Sequence, residues 1–214
     1  EGGRLIVPLG ARFQQTLFLF RKVDGELKQE ELESTFFVPM TGTAEELRQR
    51  KEDDATPHIA NGGFEQTAED GEPVGWFYVR NALVEQDSMA PEGKHILALA
   101  STTAGQKCHA IQSFGIDGRR YRAVDISVVV RTQEIVISGG PASLPGITVY
   151  FYDENRKCIS RLSLGLWIGD RDWTRQRRQL VVPAKTRLGS ITIGMFGATG
   201  KFSVDDLTIT ASKP

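Results

Sequence analysis

The chain has 214 residues, of which 40% are apolar and 25% are charged, and its formal net charge is −1. This length and apolar content are sufficient for one domain with its own core and an additional segment. The near-neutral charge gives no global electrostatic reason for binding nucleic acid or an acidic membrane surface. No apolar run reaches the ~20 residues of a membrane-spanning helix.

The first forty residues read as three short strands. Residues 4–9 (RLIVPL) and 16–23 (TLFLFRKV) are apolar runs, and a third run, TFFVPM, covers residues 35–40. Asp24-Gly25 follows the second run and predicts a tight hairpin turn, because both central positions of such a turn favour positive φ. The chain begins at Glu1 in strand-like sequence, so we expect it to be the C-terminal piece of a longer protein.

A domain boundary is predicted near residue 50. Residues 41–56 (TGTAEELRQRKEDDAT) are charged and lack apolar periodicity, which is typical of a linker. We therefore divide the chain into an N-terminal strand segment (1–42), a linker (43–56) and a main domain (57–214).

The main domain reads as many short strands separated by turn residues. Alternation is clearest at Val124, Ile126, Val128 and Val130. This pattern predicts an all-β, two-sheet antiparallel jelly-roll sandwich with the N-terminal β-hairpin as an appendage. The expected strands are 75–80, 94–101, 107–114, 121–131, 134–138, 146–152, 158–164, 177–182, 190–196 and 202–210.

Only two cysteines are present, Cys108 and Cys158, each within an apolar strand-like run. Two cysteines are too few for a disulfide scaffold or a zinc site. We expect two buried free thiols. A cytoplasmic location fits this expectation, and the start of the chain shows no signal-peptide pattern.

The N-terminal segment contains three short motifs in a fixed order. A Gly-Gly-x-Leu-Ile-x-Pro-Leu-Gly strand is followed by a glutamine-containing hairpin strand and by a final Phe-Val-Pro strand. The residues are Gly2, Gly3, Leu5, Ile6, Pro8, Leu9, Gly10, Gln14 or Gln15, Phe37, Val38 and Pro39. This order and spacing resemble the C-terminal end of bacterial protein-L-isoaspartate O-methyltransferases, whose first motif is Gly-Gly-x-Leu-(Val/Ile)-x-Pro-(Val/Ile)-Gly.

This resemblance implies a methyltransferase parent, but not an active methyltransferase in this chain alone. The family binds S-adenosylmethionine at a Gly-rich loop between an early strand and a helix. That loop and the substrate-contacting segment correspond to sequence upstream of Glu1. We therefore expect the S-adenosylmethionine site to lie in an upstream domain, which would be the partner of this module.

Four motifs of the main domain stand out: NGGFE (61–65) with Pro73-Val-Gly-Trp76, the closing strand GKFSVDDLTI (200–209), and two blocks between them, 112–131 and 173–183. With these motifs, residues 57–212 resemble jelly-roll carbohydrate-binding modules of the galactose-binding-domain-like group. Such modules commonly hold a structural Ca²⁺ where the first and last strands meet. In this interpretation the glycines and Trp76 have structural roles, and Trp76 lies in the core.

The resemblance also places calcium ligands on Glu65 and Asp205, with backbone carbonyls from Asn61 and from near Lys94. From the residues alone, Asp205 shares parity with Leu207 and Ile209 and would point inward, where an unpaired carboxylate is costly. The alternative is that Glu65 pairs with Lys94 or Arg80 and that Asp205 accepts backbone N–H groups.

Sugar recognition needs an aromatic face with polar groups around it. In the strand ITVYFY, Thr148, Tyr150 and Tyr152 share one face, which fits either a binding sheet or a solvated sheet. Secondary candidates are Tyr78, Arg80, Tyr121 and Trp167.

The run RDWTRQRRQ (171–179) contains four arginines, but alternation divides them and neighbouring aspartates dilute their charge. We interpret it as a solvated strand face and expect neither nucleic acid nor membrane binding. No catalytic motif is present, because the histidines lack metal-ligand spacing and no Gly-x-Ser-x-Gly turn occurs.

The sequence therefore predicts a non-catalytic module that binds a glycan or protein surface for an upstream methyltransferase. The alternative is a structural or oligomerisation module that packs on the methyltransferase and binds no small ligand.

Overall fold

The computed structural model describes residues 2–11, 14–35, 56–69, 71–137, 139–140 and 143–212. The chain divides into two compact units, Glu1–Asp54 and Ala55–Pro214. None of the described residues belongs to a helix that is long and apolar enough to cross a membrane.

The described residues of the first unit form an antiparallel three-stranded sheet in the order β1-β2-β3. Its strands are β1 (Arg4–Ala11), β2 (Gln14–Val23) and β3 (Glu26–Thr35). The predicted hairpin turn is confirmed, since Asp24 and Gly25 have φ values of 54° and 81°.

The strand that follows this turn was not predicted, because residues 26–34 were interpreted as a polar stretch between strands. It follows the turn directly at Glu26, in a polar stretch, because the tight turn sets the register whatever the apolar content of the next residues. The expected strand at 35–40 and the linker lie outside the described residues, apart from Thr35 and from Thr56.

The second unit is a sandwich of two five-stranded sheets, and the predicted all-β jelly roll is confirmed. One sheet has the order β10-β9-β12-β7-β4 and the other β11-β8-β13-β6-β5; we call them the β9 sheet and the β8 sheet. The strands are β4 (Phe77–Arg80), β5 (Ala82–Gln86), β6 (His95–Ser101), β7 (Lys107–Gly115), β8 (Ala123–Val136), β9 (Gly146–Tyr152), β10 (Cys158–Gly165), β11 (Gly169–Val181), β12 (Leu188–Phe196) and β13 (Thr199–Ser212).

The core lies between the two sheets and contains the predicted alternating residues. Val124, Ile126, Val128 and Val130 of β8 are fully buried there, or nearly so, and Ile147, Val149 and Phe151 face them from β9. Every second residue of a strand points away from the core, so each sheet also has an outer face. These two outer faces hold the candidate sites.

Two strand predictions were wrong. Strand β5 was not expected from the sequence. Ala82–Gln86 is a short segment, and its Leu83 is 52% exposed, so it lacks the apolar alternation of a strand that packs on the core. The separate strand expected at 134–138 is the end of β8, which bends at Glu134, where φ is 54°.

Candidate functional site

The motif NGGFE forms a closed loop around the side chain of Asn61. Its Nδ2 donates to the carbonyls of Gln66 (2.8 Å) and Val74 (3.0 Å), and its Oδ1 accepts from the N–H of Gln66 (3.0 Å). The indole N–H of Trp76 donates to the carbonyl of Asn61 (3.3 Å). These bonds join the motif to the Pro-Val-Gly-Trp stretch, as a structural role requires.

Gly62 lets this loop approach the last strand closely. The N–H of Leu207 donates to the Gly62 carbonyl (3.0 Å), and a Cβ on Gly62 would overlap the carbonyl oxygen of Leu207. Phe64 and Trp76 are buried, with ring centroids 5.5 Å apart. The prediction that Trp76 belongs to the core is confirmed.

Glu65 is held by N–H groups at the start of β6. Its Oε1 accepts from the backbone N–H groups of Lys94 (2.7 Å) and His95 (2.8 Å), and its Oε2 lies 2.9 Å from Nδ1 of His95. These hydrogen bonds, chiefly the one from the His95 ring, lower the pKa of Glu65 to about 2.

Asp205 is completely buried and accepts two backbone N–H groups, from Glu92 (2.8 Å) and Asp206 (2.7 Å). Burial raises the pKa of its carboxyl to about 6. The prediction that Asp205 points inward on the same side as Leu207 was wrong. Strand β13 contains a register shift between Asp205 and Thr208, and Asp206 has a φ of 45°. Asp205 therefore points to the outer side of the β8 sheet, where the segment around Glu92 covers it.

The four predicted calcium ligands are engaged by protein N–H groups. The segment Glu92–His95 provides N–H donors to both carboxylates. The Lys94 carbonyl accepts from the N–H of Asp87 (3.0 Å), and the Asn61 carbonyl accepts from Phe64 and Trp76. Across the described ranges, no group of three or more His, Cys, Asp or Glu side chains is placed to hold a metal ion. Calcium binding stays a prediction for titration.

Thr148, Tyr150 and Tyr152 lie together on the outer face of the β9 sheet. The two tyrosine rings are stacked, with centroids 6.4 Å apart and planes inclined by 26°. The Arg161 guanidinium of the neighbouring strand lies 5.7 Å from the Tyr150 ring centroid. Both tyrosines are half-buried, so part of each residue is open to solvent.

Hydroxyl groups continue this face across the sheet. Tyr150 is the cross-strand partner of Ser190, which in turn pairs with Ser113. Thr148 pairs with Thr192, and its hydroxyl lies 3.1 Å from that of Ser163. We call the whole set the tyrosine face: Ser113, Thr148, Tyr150, Tyr152, Arg161, Ser163, Ser190 and Thr192.

Five residues of the tyrosine face were not named from the sequence: Ser113, Arg161, Ser163, Ser190 and Thr192. Four of them are cross-strand partners of Thr148 or Tyr150, and Ser113 is the partner of Ser190, so only the register of the sheet identifies them. Small hydroxyl side chains carry no signal of their own in a sequence.

The secondary ligand candidates are scattered. Tyr78 is 65% exposed on the edge strand β4, and Arg80 is exposed near His109, where its charge contributes to lowering the pKa of the imidazole after the larger effect of burial. Tyr121 is half-buried, with its hydroxyl 3.5 Å from that of Thr56. Trp167 is only 6% exposed and packs on Phe202 with centroids 5.4 Å apart, so it belongs to the core.

The two cysteines differ in environment. Cys108 is buried, and burial raises the pKa of its thiol, as expected for a structural residue. The predicted burial of Cys158 was wrong: it is exposed, because it begins the edge strand β10 next to a register shift.

The N-terminal residues and the jelly roll are similar to different known proteins. Residues 1–45 match the family described as protein-L-isoaspartate(D-aspartate) O-methyltransferase (PCMT). A protein-L-isoaspartate O-methyltransferase of Alkalilimnicola ehrlichii is 51% identical over 43 residues, which are 20% of this chain and 20% of that protein. The resemblance predicted for the N-terminal segment is therefore confirmed, and the chain spans a fifth of the length of this relative.

Solved structures resemble the jelly roll. The enzymatically active domain of tailspike protein 4 of bacteriophage CBA120 has a TM-score of 0.54 at 12% identity. The match covers 72% of this chain and 21% of the tailspike chain. The CBM22-1 xylan-binding domain of Paenibacillus barcinonensis Xyn10C has a TM-score of 0.44 at 17% identity and covers 72% of this chain and 93% of its own. The carbohydrate-binding module TmCBM61, solved with β-1,4-galactotriose, has a TM-score of 0.46 at 14% identity and covers 72% of this chain and 97% of its own.

Proposed function

We propose that the jelly roll is a non-catalytic carbohydrate-binding module and that the tyrosine face is its site. The observation that carries the proposal is the stacked pair Tyr150–Tyr152 beside a floor of hydroxyl groups and the Arg161 guanidinium. The proposal assigns no catalytic role to the described residues of this chain.

The chemistry of the tyrosine face suits a sugar. A tyrosine ring offers a rigid apolar surface to the C–H face of a pyranose, and its hydroxyl remains available for hydrogen bonding. Ser163 can donate or accept, and Arg161 adds up to five N–H donors, whereas Ser190 and Thr192 are only 8–9% exposed. A ligand rich in hydroxyl groups could therefore be bound along the strands without a charged group of its own.

We further propose that the module serves a methyltransferase of the PCMT type. The match over residues 1–45 supports this, because a methyltransferase of that family is 51% identical over 43 of these residues. Leu5, Ile6 and Leu27 of the three-stranded sheet are 58–70% exposed, and exposed apolar side chains of this kind support packing against an upstream domain. In this proposal the upstream domain supplies the S-adenosylmethionine site, and the protein is cytoplasmic.

Calorimetric titration of the 214-residue chain with soluble xylan and β-1,4-galactan tests the binding proposal. The double variant Tyr150→Ala/Tyr152→Ala should weaken binding at least tenfold, about 1.4 kcal/mol, because both rings are removed. Tyr150→Phe/Tyr152→Phe should retain most of the affinity if stacking dominates.

Val181→Ala is a matched control, since Val181 is 71% exposed on the β8 sheet, and circular dichroism would verify the fold of each variant. A wild-type chain that binds no saccharide would overturn the proposal and favour the structural alternative. Unchanged binding by the double alanine variant would exclude the tyrosine face.

A further inference from the structure

Three loops at one end of the jelly roll carry an excess of basic side chains. They connect β7 to β8 (residues 116–122), β9 to β10 (153–157) and β11 to β12 (182–187). They contain three acidic residues, Asp117, Asp153 and Glu154, and seven basic ones: Arg119, Arg120, Arg122, Arg156, Lys157, Lys185 and Arg187. We call these loops the basic end, because their net charge is +4 while that of the whole chain is −1.

Hydrogen bonds join the three loops into one surface. The N–H of Gly118 donates to the carbonyl of Thr186 (3.0 Å), and the guanidinium of Arg187 lies 3.2 Å from the carboxylate of Asp117. The N–H of Arg187 donates to the carbonyl of Tyr152 (2.8 Å), directly before the 153–157 loop. The positions of the loops relative to one another are therefore fixed.

Two of the three acidic side chains serve the loops themselves. The Asp117 carboxylate accepts from the guanidinium of Arg119 at 2.7 Å. Asp153 Oδ1 accepts the N–H groups of Asn155 and Lys157 (both 2.9 Å). By contrast, at least three basic residues are exposed: Arg122, Lys157 and Lys185. The charge that the basic end presents to solvent is therefore mainly positive.

The basic end adjoins the tyrosine face at Tyr152. This residue is the last of β9, its carbonyl accepts the Arg187 N–H, and its cross-strand partner Cys158 follows Lys157 directly. At the opposite end of β9 the row across β10, β9 and β12 carries no charge, since it consists of three glycines: Gly165, Gly146 and Gly194. A ligand on the two tyrosines therefore meets positive charge at the Tyr152 end of the strand.

An acidic saccharide matches this arrangement better than a nucleic acid or a peptide. Single-stranded nucleic acid has a phosphate at every nucleotide, so its binding surface needs cations along the whole backbone. The row Ser163, Thr148 and Thr192 provides none. A peptide would use a free strand edge or pockets for its side chains, and β9 is paired on both sides.

We propose that the ligand of the jelly roll is an acidic polysaccharide, whose carboxylate or sulfate groups bind to the basic end while its sugar rings lie on the two tyrosines. This inference rests on the proposed function, because the tyrosine face supplies the stacking surface. Charge-assisted hydrogen bonds are roughly twice as strong as neutral ones. Complementary charge also gives selectivity against neutral chains.

Calorimetric titration of the 214-residue chain at pH 7 compares each acidic polysaccharide with a neutral counterpart on the same backbone. Polygalacturonate is compared with its methyl ester, and dextran sulfate with dextran. Polyglutamate and oligothymidylate represent acidic peptides and single-stranded DNA.

The basic-end variant replaces the three exposed cations: Arg122→Gln/Lys157→Gln/Lys185→Gln. The matched control removes the same charge at exposed positions in the β8 sheet or next to it: Lys94→Gln/Arg171→Gln/Arg177→Gln. The tyrosine double variant Tyr150→Ala/Tyr152→Ala is titrated in parallel, and circular dichroism verifies the fold of each variant.

The wild type should bind at least one acidic polysaccharide about tenfold more tightly than its neutral counterpart, because several charge contacts act together. The basic-end variant should lose this preference and keep the affinity for the neutral chain, whereas the control variant should behave like the wild type. Added salt should reduce the preference. The pair that shows it identifies the bound group as carboxylate or sulfate.

Equal binding of acidic and neutral polysaccharides that the tyrosine double variant weakens would overturn this inference and keep the proposed function. An acidic preference that the basic-end variant retains would also overturn it. So would tighter binding of polyglutamate or oligothymidylate than of either acidic polysaccharide. A wild-type chain that binds no saccharide would reject the proposed function and this inference together.

Discussion

Glu65 and His95 are joined by two hydrogen bonds, from the backbone N–H at 2.8 Å and with ring Nδ1 at 2.9 Å. An ionised carboxylate can only accept, so Nδ1 carries the proton and donates it. Together with the N–H of Lys94, this arrangement lowers the pKa of Glu65 to about 2. It also connects the NGGFE motif to the beginning of β6.

Glu65→Gln should destabilise the chain by about 1–2 kcal/mol at pH 7, because one carboxylate oxygen is replaced by an NH₂ group that faces N–H donors. The pKa of Glu65 is lower in the folded chain than its usual 4.5. The stabilisation is therefore present above pH 4.5 and is lost as pH falls towards 2. Urea unfolding at pH 7, 5 and 3 should show the free energies of unfolding of the wild type and of Glu65→Gln converging at low pH. A difference between the wild type and Glu65→Gln that stays constant with pH, or an equal loss of stability in Glu85→Gln, would contradict this prediction.

Asp205 should give the opposite pH dependence. Its pKa is raised from 3.8 to about 6 in the fold, so the folded chain binds a proton that the unfolded chain releases. The stabilisation that comes from binding this proton is fully present below pH 3.8 and is lost as pH rises through 6. Asp205→Asn should flatten the stability profile between pH 4 and 6. An unchanged slope in Asp205→Asn, or the same flattening in the control Asp206→Asn, would contradict the assignment.

The alternation of apolar residues was sufficient to predict the central strands of the sandwich. Val124 to Val130 and Ile191 to Met195 lie in strands whose inner faces are continuously apolar, and period-2 burial specifies such strands directly. Edge strands lack this signal. Strand β5 is short and exposes Leu83, and β3 is polar, so the turn before it carried more information than its own residues.

The candidate sites depend on features that no local pattern encodes. One extra residue in β13 at Asp206 reverses the parity from which the orientation of Asp205 was predicted. The register of three strands brings Arg161 and Ser190 next to Tyr150. Long-range pairing decides both features, whereas the sequence of one strand shows only which residues share its face.

Calcium binding is a separate prediction for Glu65 and Asp205. If Ca²⁺ binds these carboxylates with the carbonyls of Asn61 and Lys94, adding CaCl₂ should raise the melting temperature, since a ligand that binds only the folded chain stabilises it. The rise should exceed that with MgCl₂ and vanish in Glu65→Gln and Asp205→Asn. Asp206→Asn is the control. Identical melting curves with CaCl₂ and with a chelator would reject the calcium hypothesis.

Gln112 is the buried group that fastens the NGGFE loop to β7. Its Oε1 accepts from the N–H of Ala60 (2.8 Å), and its Nε2 donates to the carbonyls of Ala60 and Gly75 (both 3.0 Å). The residue is 1% exposed. Gln112→Leu keeps the approximate volume but leaves these three backbone groups without their partner.

We expect Gln112→Leu to lower the free energy of unfolding by about 3 kcal/mol, because each buried polar group left unpaired costs roughly 1–3 kcal/mol. Gln133→Leu, at an exposed position of β8, should change it by less than about 0.5 kcal/mol. Hydrogen exchange gives a local readout: the amide of Ala60 should lose protection in Gln112→Leu even under conditions where the strands remain protected. If that amide keeps wild-type protection, the Gln112 side chain does not hold the loop, and the loop must depend on Asn61 and the Gly62–Leu207 contact instead.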